Sequence, residues 1–226
     1  MIFLERQSSE NARAYAYRTL LYNIINLEFK PGESISEKEI ASFLGLSRTP
    51  IREALMELVK NGLVNIIPQK GSYISKIDFN IIEESRFLRL TVELAILKIA
   101  CQGISEDYIV ELKKNIIHQE LSVDTEDVSI LIDLDNEFHK LLFEAVNKQW
   151  SYDIINAQMV YFDRYRYLIQ KTLKRDSIIL DHKNLLNAVI EHDFKSAQNI
   201  LSNHLGQNLV EKDSILKLYP DYFVTS

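Results

Sequence analysis

The sequence predicts a mainly α-helical protein in two parts: an N-terminal winged helix-turn-helix over residues 1–76 and a C-terminal all-α six-helix bundle over residues 77–226. Three observations predict it. Residues 36–60 hold two short helical patterns joined by a glycine turn. Two β-prone runs come next, around Pro68-Gln69-Lys70-Gly71. From there to about Tyr219 only helical periods appear.

Taken in order, Ala12 to about Leu27 shows helical spacing, and Phe29-Lys30-Pro31-Gly32 ends it, since proline disfavours helix in the residue before it. Ser36-Glu37-Lys38-Glu39 reads as a capping box. The helix it opens is apolar at Ile40, Ala41 and Leu44 and stops at Gly45. Ser47 can cap the next helix, where Pro50 falls in the tolerant first turn. Two short helices across a tight turn make a helix-turn-helix. Leu63–Ile67 and Ser72–Ser75 then make a hairpin, the wing. Residues 76–80 read as the hinge, with Asp78 a cap for the next helix. Breaks near residues 103–105, 123–125, 147–149, 173–176 and 192–193 divide the remainder into six helices.

With 226 residues, 46% of them hydrophobic and 26% charged, the chain suits two compact domains and excludes disordered and fibrous classes. The opening MIFLERQSSENARAYAYR places polar and acidic residues where a secretory signal needs an apolar stretch, and no run reaches membrane-spanning length. A cytoplasmic protein with no membrane partner is expected. The single cysteine, Cys101, excludes an internal disulfide and reads as a small apolar filler. The net charge of −6 divides unevenly: residues 1–76 carry ten Lys/Arg against eight Asp/Glu, +2, and residues 77–226 carry sixteen against twenty-four, −8. A nearly neutral module still suits DNA when its cations share one face, because screening makes phosphate attraction local.

In the second helix of the pair, Ile51, Ala54 and Leu58 cluster on one side, while Arg48, Thr49 and Arg52 project away from it. That polar end is what a recognition helix presents to the major groove, where arginine bonds guanine bidentately. Lys38 and the wing-tip pair Lys70-Gly71 are placed for backbone or minor-groove contacts. The alternative is a solvated arginine face.

The stretch PGESISEKEIASFLGLSRTPIREALMELVKNGLVNIIPQKGSYIS closely resembles the DNA-binding domain of GntR-family regulators, through its Pro-Gly, its SRTP-x-REAL and its GLV followed by a wing glycine. The resemblance covers about residues 17–76. It implies DNA contacts at Lys38, Ser47, Arg48, Thr49, Arg52 and Gly71, and a homodimer on a short palindromic operator. Lys38 departs from the arginine frequent in the family; a phosphate contact survives that exchange better than a bidentate base contact.

The second half places ionisable residues inside apolar stripes. Asp135 and His139, four residues apart, share a face with Val128, Leu131, Ile132 and Leu142. His182 lies among Ile178, Leu185, Leu186 and Val189, and His204 among Ala197, Ile200 and Leu201. Unpaired, such groups are costly to bury. A divalent transition metal would satisfy three imidazoles and a carboxylate together, with zinc the first choice and nickel or manganese next. Each histidine could instead be a core residue hydrogen-bonded to a neighbour, and His118 and His192 are read that way. Asp135-x-x-Phe138-His139, with Asn147 beyond it, then His182 and His204, resembles the metal-binding motif of the FCD effector domain in the FadR branch of the GntR family, over about residues 79–215. That resemblance maps the ligands onto Asp135, His139, His182 and His204, and the six helices onto the VanR-like subgroup.

Arg86, Arg89 and Glu93 lie on the buried side of their helix, and a buried arginine needs an anion. Arg89 and Glu93 at i, i+4 can pair with each other. The family's Arg-x-x-x-Glu pattern is in register here and implies that Arg89 faces a cavity and meets an effector carboxylate. Arg164 and Arg166, with Tyr161 and Tyr165, are further pocket candidates or surface residues; Arg166 is taken with Arg89 and Glu93 as the effector-binding set. The expected function is a transcription regulator, not an enzyme, whose operator binding responds to a small organic acid. The alternatives are a helical metalloenzyme and a regulator with a purely structural metal.

Overall fold

The computed structural model describes the chain except residues 124, 126, 174–176, 211 and 225–226, and except the side chains of residues 173 and 207–210. The chain forms two compact units. One comprises Met1–Phe79 together with the residues from Leu216 onward, the other Asn80–Ile215. The sequence reading divides the chain once, at 76/77; the compact units divide it at Phe79 and again at Leu216.

In the first unit, α1 (Ala12–Ile25) begins at Asn11, whose side chain accepts from the Ala14 N–H. It ends two residues earlier than expected, at Ile25, because Leu27 turns left-handed at φ 57° and Phe29 N–H bonds back to Asn23. Ser36 caps α2 (Glu37–Leu44) by accepting from Glu39 N–H, and Gly45, left-handed at φ 64°, ψ 30°, closes it. Two residues later α3 (Arg48–Lys60) begins at Ser47, whose side chain makes no cap bond. Leu20, Ile24, Ile40, Ile51, Ala54 and Leu58 form a core between these helices. The hairpin is β2 (Val64–Ile67) and β3 (Gly71–Ile74), antiparallel, with Val64 opposite Ile74 and Ile67 opposite Gly71. A third strand that the sequence reading misses, β1 (Ser34–Ile35), pairs with β3, giving the order β1-β3-β2. Two residues are too few to show an alternating period.

The segment expected as a hinge is tied down within this unit. Ile77, 1% exposed, pairs in parallel with Phe223: its N–H donates to Tyr222 O at 2.8 Å and its carbonyl accepts from Val224 N–H at 3.0 Å.

The second unit is helical: α4 (Phe79–Ala100, beginning in the first unit), α5 (Glu106–Leu121), α6 (Val128–Ala145), α7 (Gln149–Gln158), α8 (Val160–Leu173), α9 (Ser177–Ile190), α10 (Phe194–Val210) and α11 (Lys212–Leu218, ending in the first unit). The six-helix expectation is therefore corrected. A break at Met159 separates α7 from α8, and α11 comes after α10. Neither glycine nor proline marks Met159; its N–H bonds to Asn156 O while its own carbonyl accepts from Asp163 N–H. Asn147, left-handed at φ 57°, ends α6. The expected breaks at 123–125 and 173–176 fall on residues 124 and 174–176, outside the described residues. The core runs through Leu97, Leu112, Phe138, Leu142, Leu186 and Leu201. Every residue of α8 from Phe162 to Gln170 is buried, so this helix is covered all round.

Candidate metal centre and nucleic-acid interface

In the first unit Lys38, Ser47, Arg48, Thr49, Arg52, Lys70 and Gly71 are all exposed or half-buried. The reason is periodic: Ile51, Ala54, Leu55 and Leu58 turn one face of α3 into the core and leave Arg48, Thr49 and Arg52 on the other. An open groove of about 710 Å³ runs along that face. Arg48, Thr49, Arg52, Glu53, Met56, Glu57 and Lys60 of α3 line it, with Glu37 of α2 and Arg13 of α1. Lys38, Ser47, Lys70 and Gly71 lie outside this lining. Arg13, missed by the sequence reading, is held by an exposed ion pair with Glu57 at 2.6 Å. At the wing tip Lys70 N–H donates to Ile67 O at 3.0 Å, Gln69 is left-handed at φ 64° and Gly71 sits at φ 113°.

In the second unit the structure brings together the four residues taken from separate stripes. Asp135 and His139 on α6, His182 on α9 and His204 on α10 are all buried, and one ligand atom from each lies within 4.8 Å of the others. His182 Nε2 is 3.5 Å and His204 Nε2 3.7 Å from Asp135 Oδ1, and His139 Nε2 is 4.0 Å from Oδ2. These separations are too long for hydrogen bonds. They lie near the edge, about 3.4 Å, of a tetrahedron whose metal–ligand bonds are about 2.1 Å. The buried Nε2 atoms of His139 and His182 have no hydrogen-bond partner. Three imidazole nitrogens and a carboxylate oxygen, with two orphaned nitrogens facing inward, fit a divalent cation.

Each opposite nitrogen lies near a polar atom of another side chain. Glu93 Oε2 on α4 lies 2.8 Å from His139 Nδ1, Gln119 Oε1 on α5 accepts from His182 Nδ1 at 2.8 Å, and Asp181 Oδ2 on α9 lies 3.3 Å from His204 Nδ1. Carboxylate or carbonyl partners of this kind set the orientation of metal-binding imidazoles. The sequence held a signal for Gln119: with Asn115 it interrupts the stripe of Leu112 and Ile116 on α5. Asp181 carries none, since it lies about 100° round the helix from His182.

Arg89, Glu93 and Arg166 adjoin the same centre. Arg89 Nε donates to Glu93 Oε1 at 2.6 Å and its Nη2 lies 3.7 Å from Asp135 Oδ2. Arg166 Nη2 donates to Asp135 Oδ2, and its Nη1 donates to Asn136 Oδ1 at 2.8 Å and to Asp163 Oδ1 at 3.0 Å. Arg164 and Arg166 are both buried. Burial opposes charge throughout, yet the arginines prevail at two carboxyls. Glu93 is brought down to about 2, desolvation being outweighed by Arg89 and His139. Asp135 is well below its ordinary range, desolvation being outweighed by Arg166 and His139. Asp163 is raised, its desolvation exceeding the pull of Arg166. His182 is lowered well below the usual imidazole range by desolvation and then by His204, and His139 is lowered by desolvation. Neutral imidazoles beside ionised carboxylates are the protonation states a metal requires. His192, by contrast, bonds through Nδ1 to Cys101 O at 2.9 Å, away from the centre.

The second unit has a match among known domains: residues 84–207 fit the FCD domain model. Residues 13–74 fit the model described as bacterial regulatory proteins, gntR family. The HTH-type transcriptional repressor RspR of Escherichia coli (strain K12) is 30% identical over 192 residues, 84% of each chain. An uncharacterized HTH-type transcriptional regulator of Bacillus subtilis, YdhC, is 25% identical over 207 residues, 89% of this chain and 91% of that one. Among solved structures, E. coli McbR/YncC superposes with a TM-score of 0.76 at 19% identity, covering 93% of this chain and 99% of that one. A putative GntR regulator from Rhodococcus sp. RHA1 superposes with a TM-score of 0.70 at 19% identity, covering 93% and 98%. These two show the fold. Among the described residues no helix is long and apolar enough to cross a membrane. With both halves matched, this chain belongs to the GntR family of bacterial regulatory proteins, as a DNA-binding transcription regulator carrying an FCD domain.

Proposed function

We propose that this regulator binds a palindromic operator as a homodimer and that a small carboxylate, held at a metal centre, changes that binding. Lys38, Ser47, Arg48, Thr49, Arg52, Lys70 and Gly71 meet the DNA; Asp135, His139, His182 and His204 hold the metal; Arg89, Glu93 and Arg166 receive the acid. Zinc is the first candidate and nickel or manganese the next. The VanR-like subgroup is part of this proposal and rests on the sequence resemblance alone, since α4 to α11 are eight helices rather than six. The observation that carries the reading is the convergence of three buried histidines on Asp135, two of whose inward nitrogens have no other partner.

When bound, a divalent cation supplies a positive centre that can take a further oxygen ligand. Beside it, Arg166 and Arg89 hold Asp135 Oδ2 and offer guanidinium groups suited to a carboxylate. The cavity lined by Arg89, Asp135, Arg166, Gln170, Ile178, His204 and Leu205 is only about 10 Å³. That is room for one water-sized particle. A multi-atom acid therefore has to open the packing of α8, α9 and α10, and a ligand that binds the opened state better shifts the population toward it. Only one spacing of two recognition helices fits both half-sites, so such a shift alters operator affinity.

The closed cavity equally favours a second reading, a structural metal with no effector. A thermal-shift screen of small organic acids separates them: a melting temperature raised by any acid supports the sensor, and none raised across the screen supports the structural metal. Metal content of purified wild type against His139→Ala tests the centre, equal content refuting the assignment. Undiminished specific operator binding by the Arg48→Ala, Arg52→Ala double variant would refute the DNA assignment.

A further inference from the structure

Behind His182 runs a hydrogen-bond chain whose direction is set at its far end. A backbone carbonyl can only accept. The Asn115 group facing Leu134 O at 3.0 Å is therefore its amide NH₂. Asn115 Oδ1 is then turned toward Gln119, which presents its own NH₂ at 2.6 Å. Gln119 Oε1 is left facing His182 Nδ1 at 2.8 Å. An amide oxygen only accepts, so the proton sits on Nδ1. Turning Gln119 over would set its oxygen against Asn115 Oδ1, two acceptors 2.6 Å apart. Solvent cannot relieve such a mismatch, because Asn115, Gln119 and His182 are 5%, 1% and 0% exposed.

The consequence appears at the other edge of the ring. In a neutral imidazole protonated at Nδ1, Nε2 is a bare acceptor. It lies 3.5 Å from Asp135 Oδ1, another acceptor, and has no hydrogen-bond partner. Two lone pairs face one another across a buried gap, an arrangement that a cation between them relieves. The chain starts at Leu134, the neighbour of Asp135 on α6, so the carboxylate and the imidazole take their placing from one helix turn.

We propose that Asn115 and Gln119 are positioning residues of the metal centre: they relay the direction of the Leu134 carbonyl to His182, fix its Nδ1–H tautomer and so aim its Nε2 lone pair at the cation. This rests on the metal reading above and extends it to two residues on a helix that supplies no ligand.

The test uses the full chain. The tautomer of His182 is read by ¹⁵N NMR of histidine-labelled, metal-free protein, and zinc affinity by competition with a chelator. Wild type should carry the proton on Nδ1. Gln119→Leu should lose that preference and about 10–100-fold in zinc affinity, whereas Gln119→Glu, which keeps an acceptor toward Nδ1, should retain zinc more tightly than the leucine variant. A role in packing alone predicts the reverse order, since leucine suits a buried site and a carboxylate does not. Wild-type His182 protonated on Nε2, or Gln119→Leu binding zinc as tightly as wild type, overturns the proposal, and the wild-type tautomer remains decisive if the leucine variant does not fold. Wild type that takes up no zinc overturns the metal reading and the positioning role with it. Because the tautomer is measured without metal, the two failures are told apart.

Discussion

Glu93 shows how one side chain serves two partners at the buried centre. It accepts from Arg89 Nε at 2.6 Å and stands 2.8 Å from His139 Nδ1, with 5% of its side chain exposed. Glu93→Gln removes the charge facing a buried guanidinium and should cost about 3 kcal/mol, the low end for a broken buried pair, because Asp135 stays 3.7 Å from Arg89. Urea unfolding of chelator-treated protein measures it; a loss below about 1 kcal/mol would mean that Asp135 alone satisfies Arg89. A half-buried carboxylate of the first unit gives the pH counterpart. Arg18 bonds both oxygens of Glu10, at 2.5 and 2.8 Å, and brings its pKa from 4.5 to about 2. A depressed folded value means that the contribution is complete above pH 4.5 and is lost as pH falls toward about 2. The Gln7 amide, which donates to Glu10 Oε2 at 3.0 Å, should shift over that window in wild type and lose that shift in Glu10→Gln. At this scale the stripes made Asp135, His139, His182 and His204 conspicuous, since an ionisable group in an apolar face stands out. Asn136 and Arg13 did not, because a polar residue reads as solvated until a partner from another helix is seen.

Among the elements, α2 and its turn were legible because caps are local chemistry. Ser36 and Gly45 act within one helical turn of where they stand. Gly45 gives a clean measure: its φ of 64° is left-handed, and an added Cβ would meet nothing within 4 Å. Gly45→Ala should therefore cost about 1–2 kcal/mol through backbone strain alone. Thermal unfolding would show it, and a variant as stable as wild type would mean that the turn adopts another conformation. What stayed hidden depends on tertiary packing. The break at Met159 has no glycine or proline to announce it, and β1 exists because β3 offers it an edge. Ser47 adds a subtler case: its place before α3 was legible, but the side chain forms no cap bond. A hydroxyl not engaged by its own helix can turn to a phosphate oxygen.

Across the whole molecule, chain order misleads at one place: the last residues belong with the first unit. No periodicity could show this, because the link includes a parallel pair between residues 146 positions apart, Ile77 and Phe223. The Phe223 ring stacks on Phe79 with centroids 4.8 Å apart and planes at 10°, and only 1% of the residue is exposed. Burial of that order makes Phe→Ala worth about 3–5 kcal/mol where the site cannot collapse. Phe223→Ala should therefore release the segment, and its effect should be local. Hydrogen exchange at the Ile77 and Val224 amides, each bonded across the pair, should accelerate by orders of magnitude, while the α5 and α6 amides of the second unit keep their protection. Unchanged exchange at Ile77 would show that the wing-to-α4 segment holds its conformation without the returning chain. Acceleration would establish that the segment expected as a hinge is a two-strand tie, held by residues that come after the His204-bearing helix.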